Sequence, residues 1–468
     1  MSSSFNAKAV KQLTGAVLAV LSLLGAFFIN IDGLSEQAAH TMGVAAATLF
    51  LLIFEPFNIC VTCMLSSAML FAFGCVDTVS EGFCGFSNHI LYFTTASFGI
   101  SAAFQKSVLS RRLLSLVIRG KKIGVKKLIF IFMICSALLS SIMSNVAAAV
   151  IFLPFAEAFL DFMSDKGKKS ETKRCMMMCI TVGAMIGGMM TPAGSSMNLI
   201  CLDMLERYTG QTVRFIDWIK IGLPLAVIMV FIAFLIITAV FPPKEPNEDE
   251  MNAYLSNISE KAPASSKDIY AALVIFAVVS AWLISSWVPS INITVTAIAG
   301  LALLFVPKFG VLTYEEFAKA ISWPTFFIAG NLISVANAVI GTGMCDQFTK
   351  LLFPEKTSLP LIFILMQTAA VTFVFMALLP SAPAVTTILT PIIISFAQNN
   401  GLDPIMLVIA SALCVSNIYL FPLDAPLAAA YDKKAFTMFE LPRATVWIQL
   451  SMIIIVPLWV GAVFKFIL

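Results

Sequence analysis

The chain has little charge: Asp, Glu, Lys and Arg make up 12% of its 468 residues, and the net charge is +3. Soluble domains carry about twice that share, roughly 25%. Histidine is scarce too, with two in the whole chain, so a His-Glu-x-x-His zinc motif cannot form, and there is no Walker phosphate-binding loop. These shortages exclude an ordinary soluble domain, the common membrane metalloproteases and ATP-driven pumps. The small net charge gives no support for nucleic-acid binding.

Apolar residues take the place of the missing charge. They make up 59% of the chain, and apolar runs of about 20 residues recur along nearly its whole length. A transmembrane β-barrel would show short alternating segments instead. The sequence therefore predicts an all-α, multi-pass protein of the plasma membrane with about 11 transmembrane helices.

Two apolar segments, 88–105 and 321–344, are short and carry Gly, Ser, Thr or Asn near their middle. Each can be a span or a re-entrant hairpin that enters and leaves the membrane on one side, and the small polar residues favour hairpins. The polar stretch 242–268 divides the chain near its middle. It is predicted to be a linker that contains one short amphipathic helix.

The two halves of the chain repeat one pattern. Segments 144–154 and 381–391 both begin with Ser and end with Pro, ten positions apart in each case (154 − 144 and 391 − 381). Further on, "GGMMTPAGSSMNLI" (187–200) has a counterpart in "IYLFPLDAPLAAAY" (418–431). Broken helices at corresponding places in two repeats indicate a transporter site near the bilayer midplane.

Polar residues interrupt the apolar run 138–154, among them Ser140, Ser144 and Asn145. An unsatisfied polar group in hydrocarbon costs several kcal/mol, so these side chains must face protein, water or a ligand. They can link helices through hydrogen bonds, or they can be oxygen donors at a helix break, and the repeat favours the second interpretation. No Lys or Arg lies mid-span, so anion binding is expected to depend on helix N-termini and on hydroxyl groups. The candidate hydroxyls are those of Thr191, Ser195, Ser196, Thr386 and Thr387.

Two basic stretches, 106–127 and 166–174, flank the apolar run 128–160. The positive-inside rule places the first in the cytoplasm. A single crossing between them would place the second outside. Either 128–160 does not cross once, or the rule fails at 166–174.

At these motifs the chain resembles the divalent anion:sodium symporters of the ion transporter superfamily. Members carry a Ser-Asn-Thr motif in each repeat; Ser144-Asn145-Val146 is similar to the first, and Ser381-Ala382-Pro383 to a degraded second. The segment from Glu55 to Thr62 and "FFIAGNLISVANAVIGTG" (326–343) are also similar to family segments. The resemblance covers most of residues 40–440 and favours failure of the positive-inside rule at 166–174.

The resemblance implies inverted repeats, a homodimer formed by scaffold domains, and a transport domain that slides across the membrane as an elevator. The domain boundaries that follow are 1–85 (N-terminal scaffold helices), 86–210 (first-repeat transport segment), 211–320 (scaffold helices with the linker), 321–440 (second-repeat transport segment) and 441–468 (C-terminal helix).

The resemblance also implies two sodium sites. The first maps onto residues of the expected types, Ser140, Ser144, Asn145 and Gly194. The second lacks its side-chain oxygens, because Ala377, Ala382 and Phe421 occupy its positions. Since Na⁺ requires several oxygen ligands, the second site is expected to be abolished or strongly weakened.

The substrate-touching threonines of the family correspond to Val146 and Pro383, which have no hydroxyl. Asp424, beside the second break, is costly in a membrane and therefore a functional candidate: it can hold a cation, carry a proton, or cap the half-helix that begins near Ala425. The expected substrate-binding residues are Ser144, Asn145, Val146, Thr191, Pro192, Ser381, Ala382, Pro383, Pro422 and Asp424.

The predicted function is secondary transport, without enzymatic activity, of C4 and C5 dicarboxylates: succinate, malate, fumarate or α-ketoglutarate. Sodium coupling is expected to be reduced or absent, with dicarboxylate exchange as one mode, and no cofactor is expected beyond Na⁺ at one site. The expected partners are the anion, membrane lipid and a second copy of the chain. The alternative is sodium- or proton-coupled symport of citrate, sulfate or another anion. A lipid-modifying enzyme would need paired intramembrane acids or a His cluster, and a channel would need a filter ring; neither pattern is present.

Overall fold

The computed structural model describes residues 2–28, 35–107, 112, 123–259, 265–343, 359–379, 381–417, 419–420 and 424–467, and these residues form helices and no strands. The helices of the first half are α1 (Ser2–Phe28), α2 (Glu36–Phe54), α3 (Ile59–Ala72), α4 (Val79–Gly82), α5 (His89–Lys106), α6 (Val125–Ser140), α7 (Asn145–Asp161), α8 (Lys166–Gly187), α9 (Ser196–Thr209) and α10 (Phe215–Val240), with 3₁₀ turns at Cys84–Ser87 and Pro192–Gly194.

The second half of the chain begins with the predicted linker. The linker does contain one short helix, whose first turn is acidic. The helices of this half are α11 (Glu248–Ser259), α12 (Ser266–Ile284), α13 (Ile293–Leu303), α14 (Tyr314–Ala320), α15 (Trp323–Gly341), α16 (Leu361–Leu378), α17 (Ala382–Asn399), α18 (Pro404–Val415), α19 (Ala425–Asp432) and α20 (Leu441–Ile467).

Six helices within the described residues are long and apolar enough to cross a membrane: α1, α2, α10, α12, α15 and α20. Shorter apolar helices lie between them, including α3, α13 and α18. This pattern confirms an all-α membrane protein. Of these short helices, α18 lies in segment 321–440, where the sequence predicts a break, whereas α3 and α13 lie outside the repeated segments.

Helices α6 and α7 form a hairpin, not one broken helix that crosses the membrane. The backbone N–H of Val125, at the start of α6, donates to Glu245 at 2.9 Å. The N–H of Ser164, just after α7, donates to Glu250 at 3.0 Å. Because Glu245 and Glu250 belong to one short polar segment, both ends of the hairpin lie on the same side of the protein. The turn at 141–144 forms its tip.

This hairpin resolves the conflict between the two basic stretches. Residues 123–127 include the first turn of α6 and residues 166–174 follow α7, so both lie at the base of the hairpin. The Thr172 hydroxyl confirms the placement, because it accepts the Lys244 N–H at 3.0 Å, in the same polar segment. The contacts therefore support the alternative in which 128–160 does not cross once, and both stretches lie on one side of the protein, as the positive-inside rule requires.

The hairpins expected at 88–105 and 321–344 are not found in the described residues, where α5 and α15 run unbroken through their polar positions. In α5 the hydroxyls of Thr94, Thr95 and Ser101 donate to carbonyls four residues earlier at 2.8 Å, so they do not interrupt the helix. In α15 the amide of Asn331 donates instead to Ser66 and Ser67 on α3, at 2.9 and 3.0 Å. Polar residues here bond to their own helix or link two helices, and they do not mark breaks.

The same order of elements occurs in both halves of the chain. The pair α6–α7 is followed by α8 and α9, which are separated by a 3₁₀ turn. The pair α16–α17 is followed by α18 and α19, which are separated by residues 416–424. In the second pair, Phe375 of α16 and Thr387 and Pro391 of α17 line one apolar cavity. Phe375 precedes the connection between the two helices, and Thr387 and Pro391 follow it, so the helices pack against each other as in a hairpin.

Candidate functional site

Four helix N-termini, two from each repeat, meet at one cavity. The cavity has a volume of about 190 Å³ and is lined by the N-terminal residues of α7, α9, α17 and α19. The N-cap residues of these helices are Ser144, Ser195, Ser381 and Asp424. The hydroxyls of Ser195 and Ser416, one at each helix break, lie 2.7 Å apart. The two repeats therefore line a single cavity.

A hydrogen-bond network fixes the tip of the first hairpin. Ser140 Oγ donates to Asn145 Oδ1 at 2.7 Å, and Ser144 Oγ accepts the N–H of Ala147 at 3.3 Å as the N-cap of α7. The hydroxyl of Thr191 donates to the carbonyl of Ser141. This last contact joins the tip to the break between α8 and α9, so both parts of the predicted first site have a defined position.

Glycines allow the break between α8 and α9 to approach the hairpin tip closely. A Cβ atom at Gly188 would lie 2.6 Å from Asn145 Oδ1. At Gly194 it would lie 2.8 Å from the Gly188 carbonyl oxygen and 3.0 Å from that of Ser140. The side-chain amide of buried Asn198 stabilises the non-helical backbone of this break by donating to the carbonyls of Gly188 and Thr191, at 2.9 and 3.1 Å.

The tip of the first hairpin brings together several oxygen atoms of the kinds that bind hard cations. The carbonyl oxygens of Gly188 and Ser140 lie beside Gly194, and the amide oxygen of Asn145 lies beside Gly188 and accepts the Ser140 hydroxyl; these are donor types that alkali and alkaline-earth ions prefer. No group of three or more His, Cys, Asp or Glu side chains is assembled within the described ranges. The tip therefore presents a neutral set of oxygen atoms.

The second hairpin tip has fewer donors. Ala377 and Ala382 carry no side-chain oxygen, and Phe421 lies outside the described residues. Ser381 is the N-cap of α17, but its hydroxyl is buried without a hydrogen-bond partner. Pro383, at the second helical position, removes one of the N–H groups that an N-cap side chain usually accepts. The two repeats thus have the same shape and different chemistry.

Asp424 is the one charged side chain that lines the cavity among the described residues. It is the N-cap of α19, and Oδ1 accepts the N–H of Ala425 at 2.8 Å. The capping interpretation is thus confirmed. A cap does not require a position inside the cavity, so capping does not by itself explain why this carboxylate lies there.

The predicted residues that line the cavity are Ser144, Asn145, Val146, Gly194, Ser195, Ser196, Ala382, Pro383 and Asp424. Ser140, Thr191, Pro192 and Ser381 are not among its lining residues. Pro422 lies outside the described residues. The expectation for two of the candidate hydroxyls is wrong: Thr386 and Thr387 donate to the carbonyls of Ala382 and Pro383, at 2.8 and 2.7 Å, within their own helix.

The sequence analysis missed part of the site. Phe93, Thr94, Ser97 and Phe98 of α5 and Thr325 of α15 also line the cavity. These two helices carry the polar mid-segment residues from which hairpins were predicted. The polar residues of α5 and α15 thus occur in helices that line the cavity, but they do not break those helices.

A second cavity, of about 470 Å³, adjoins the first and shares Phe98, Ser144, Val146, Thr325 and Ala425 with it. It extends along the last two turns of α5 to the segment between α14 and α15. Lys319 is the basic side chain among the residues that line it. We call this cavity the vestibule; it leads from the site towards the Lys106 end of α5, where Lys106 and Glu316 form an ion pair at 2.6 Å.

Comparison with known proteins agrees with this geometry. Residues 49–414 match the family model described as CitMHS, citrate transporter. The chain belongs to the citrate transporter family. This citrate transporter family member is 21% identical to a sodium-dependent dicarboxylate transporter, SdcS, of Staphylococcus saprophyticus, over 96% of this chain and 91% of SdcS. It is 20% identical to SdcS of Staphylococcus aureus, over 98% and 92% of the two chains.

The fold of this citrate transporter family member also resembles a solved structure. The crystal structure of the YdaH transporter of Alcanivorax borkumensis has a TM-score of 0.56, with 14% identity over 90% of this chain and 98% of YdaH. Together with the relatives, this confirms a multi-pass membrane transporter and the resemblance to the divalent anion:sodium symporters. The expected plasma-membrane location agrees with both findings.

Proposed function

We propose that this family member is a secondary active transporter of small organic anions and that its substrates are C4 and C5 dicarboxylates: succinate, malate, fumarate and α-ketoglutarate. The observation that carries the proposal is the convergence of four helix N-termini on one cavity whose described lining residues include no basic side chain. Free N–H groups and the helix dipole favour anions. Two carboxylates at opposite ends of a short chain could each face one repeat.

The proposal for how anion transport is coupled to sodium rests on the difference between the two repeats. The first tip offers hydroxyl, amide and carbonyl oxygens to one Na⁺, whereas Ala377 and Ala382 offer no side-chain oxygen at the second. We therefore propose that sodium coupling uses one site or none and that dicarboxylate exchange is one mode of transport. Ser140, Ser144, Asn145 and Gly194 would hold the ion, which is cargo and not a resident cofactor.

We further propose that the hairpins and broken helices of segments 86–210 and 321–440 move as the transport domain of an elevator. The scaffold segments 1–85 and 211–320 would form the homodimer, with membrane lipid around it. The vestibule would then be the access path in this conformation. It leads towards the basic stretch that begins at Lys106, so by the positive-inside rule it opens to the cytoplasm.

Counterflow in proteoliposomes tests the substrate and the coupling together. Vesicles preloaded with unlabelled succinate should accumulate labelled succinate, and excess α-ketoglutarate should compete. Uptake plotted against sodium concentration, with choline as the replacement, should be flat or hyperbolic with a Hill coefficient of about 1, because that coefficient cannot exceed the number of coupled sites. A sigmoidal curve with a coefficient near 2 would contradict loss of the second site.

Citrate is the second candidate substrate, because the matching family is described as citrate transporter. In the same vesicles, citrate counterflow without competition by any dicarboxylate would replace the first proposal with the second. Sulfate and monocarboxylates serve as further competitors.

Lys319 provides a test of the vestibule. Replacing Lys319 with Gln should raise the KM for succinate by roughly threefold to tenfold, because a basic group at the mouth of a cleft raises the local anion concentration. The maximal rate should change little. The effect should weaken at high ionic strength, where screening shortens the reach of a charge to about 10 Å or less. Lys267→Gln, an exposed position at the start of α12, is the matched control; an equal rise in KM in both variants would contradict an access role.

A further inference from the structure

We propose that Asp424 couples transport to protons: its carboxylate takes up a proton when a dicarboxylate enters the cavity, and proton and anion cross the membrane together. The inference rests on the proposed function, since it assumes an anionic substrate. It assigns a role to a side chain whose capping contact with Ala425 does not explain its position in the binding cavity.

The first step is the charge of the cavity. A dicarboxylate brings negative charge to a site where Asp424 is the one charged lining residue and no Lys, Arg or His lines the wall among the described residues. Like charges in one poorly solvated cavity repel strongly, so that one of them is neutralised. A single Na⁺ at the first tip cannot compensate both the substrate and an ionised Asp424.

The second step is the use of the helix N-termini. Three of the four helices at the cavity have Ser as their N-cap, but at α19 the N-cap is Asp424 itself, with Oδ1 2.8 Å from the Ala425 nitrogen. The partial positive charge of α19 is therefore already paired with an internal anion. A protonated Asp424 could still accept the Ala425 N–H with one oxygen while it donates its O–H to a substrate carboxylate.

The third step is that, among the described residues, no charged side chain from the surrounding helices lies close enough to pair with the Asp424 carboxylate. Helices α7 and α8 pack against α19, but their charged residues lie at its other end, where Lys433 pairs with Glu157 at 2.6 Å and Lys173 donates to the Lys433 carbonyl. On the near side, buried Tyr419 donates its hydroxyl to Asn417 at 2.6 Å. Within α5, α15, α17 and α18 there is no charged residue near the cavity; the charges of α5 are at its ends.

The fourth step is the asymmetry of the repeats. Asp424 belongs to the repeat in which Ala377 and Ala382 have replaced the oxygen-bearing side chains of the expected second cation site. A carboxylate that binds one proton restores one positive charge to that repeat without requiring a set of oxygen ligands. The proton would thus replace the second cation.

The test compares two transport modes in proteoliposomes that contain pyranine as an internal pH indicator, with the membrane potential clamped by potassium and valinomycin. Under an inward gradient of about one pH unit, wild-type protein should accumulate succinate up to about tenfold above equilibrium, the limit for one proton per substrate, and added succinate should acidify the lumen. Asp424→Asn, which can still cap α19, should lose both responses, and the counterflow that it retains at equal pH should no longer change with pH.

Asp403→Asn is the matched control, because Asp403 caps α18 by accepting the Ile405 N–H at 3.0 Å, away from the cavity. It should retain proton-driven uptake. Wild-type counterflow without lumen acidification would overturn the proton role and leave the proposed function intact. Absence of wild-type dicarboxylate counterflow would instead overturn the proposed function. Uptake of the amino dicarboxylate aspartate alone, lost in Asp424→Asn, would show that Asp424 binds an ammonium group and would also overturn proton coupling.

Discussion

Replacing Asn145 with Ala should lower succinate counterflow by roughly tenfold to a hundredfold while membrane expression stays at the wild-type level. Asn145 Oδ1 accepts the hydroxyl of buried Ser140 at 2.7 Å, and the variant leaves that hydroxyl without its partner. An unpaired buried polar group costs about 1–3 kcal/mol, and each 1.4 kcal/mol corresponds to a tenfold change in an equilibrium. The variant also removes an amide oxygen from the proposed cation site, so any sodium dependence of uptake should disappear with it.

Asn252→Ala is the matched control for this prediction. Asn252 lies exposed on α11, away from the cavity, and its loss should leave counterflow unchanged. Transport by Asn145→Ala at the wild-type rate, with unchanged sodium dependence, would show that Asn145 only links the two helices of the hairpin.

The position of the site could be predicted from the sequence because broken helices leave a pattern that survives divergence. Ser144 and Ser381 each begin a half-helix that contains a proline ten positions later, and each lies at the end of a long apolar run. Since a polar break inside hydrocarbon must be satisfied by protein or ligand, two such breaks at corresponding positions implied a shared cavity. The hydrogen bond between Ser195 and Ser416 joins the two halves at that cavity.

The direction of the chain at each break could not be predicted in the same way. A polar interruption can end one helix and begin a continuing one, as between α8 and α9, or it can turn the chain back, as between α6 and α7. Both occur here with Ser, Asn, Gly and Thr at the interruption. The contacts that distinguish them, from Glu245 and Glu250 to the two ends of the hairpin, join residues about 90 to 120 positions apart.

Side chains in α5 and α15 show a second limit of prediction. Ser101 satisfies its hydroxyl within its own helix, whereas Asn331 reaches two serines of α3. Neither needs a helix break. Composition alone does not distinguish a hydroxyl that bonds to its own backbone from one that faces a ligand, so Thr386 and Thr387 were included among the candidate hydroxyls and Ser97 was not.

Replacing Gly188 with Ala tests whether the hairpin tip and the break between α8 and α9 form one rigid site. The added Cβ would lie 2.6 Å from Asn145 Oδ1 and 3.1 Å from its Nδ2, so the amide must move and its hydrogen bond with Ser140 must lengthen. Overpacking of this kind costs about 1–3 kcal/mol. Counterflow should fall by about tenfold or more, with a lower apparent affinity for sodium where sodium dependence is measurable.

Gly341→Ala provides the control, because Gly341 lies on α15 and no atom of the described residues is within 4 Å of an added Cβ. It should transport as wild type does and unfold at the same or a slightly higher temperature, since Ala favours a helix over Gly by about 1 kcal/mol. Combining Gly188→Ala with Asn145→Ala should cost little more than either change alone, because both disturb the same contact. Additive losses in the double variant would mean that the glycine acts on transport by a route other than Asn145.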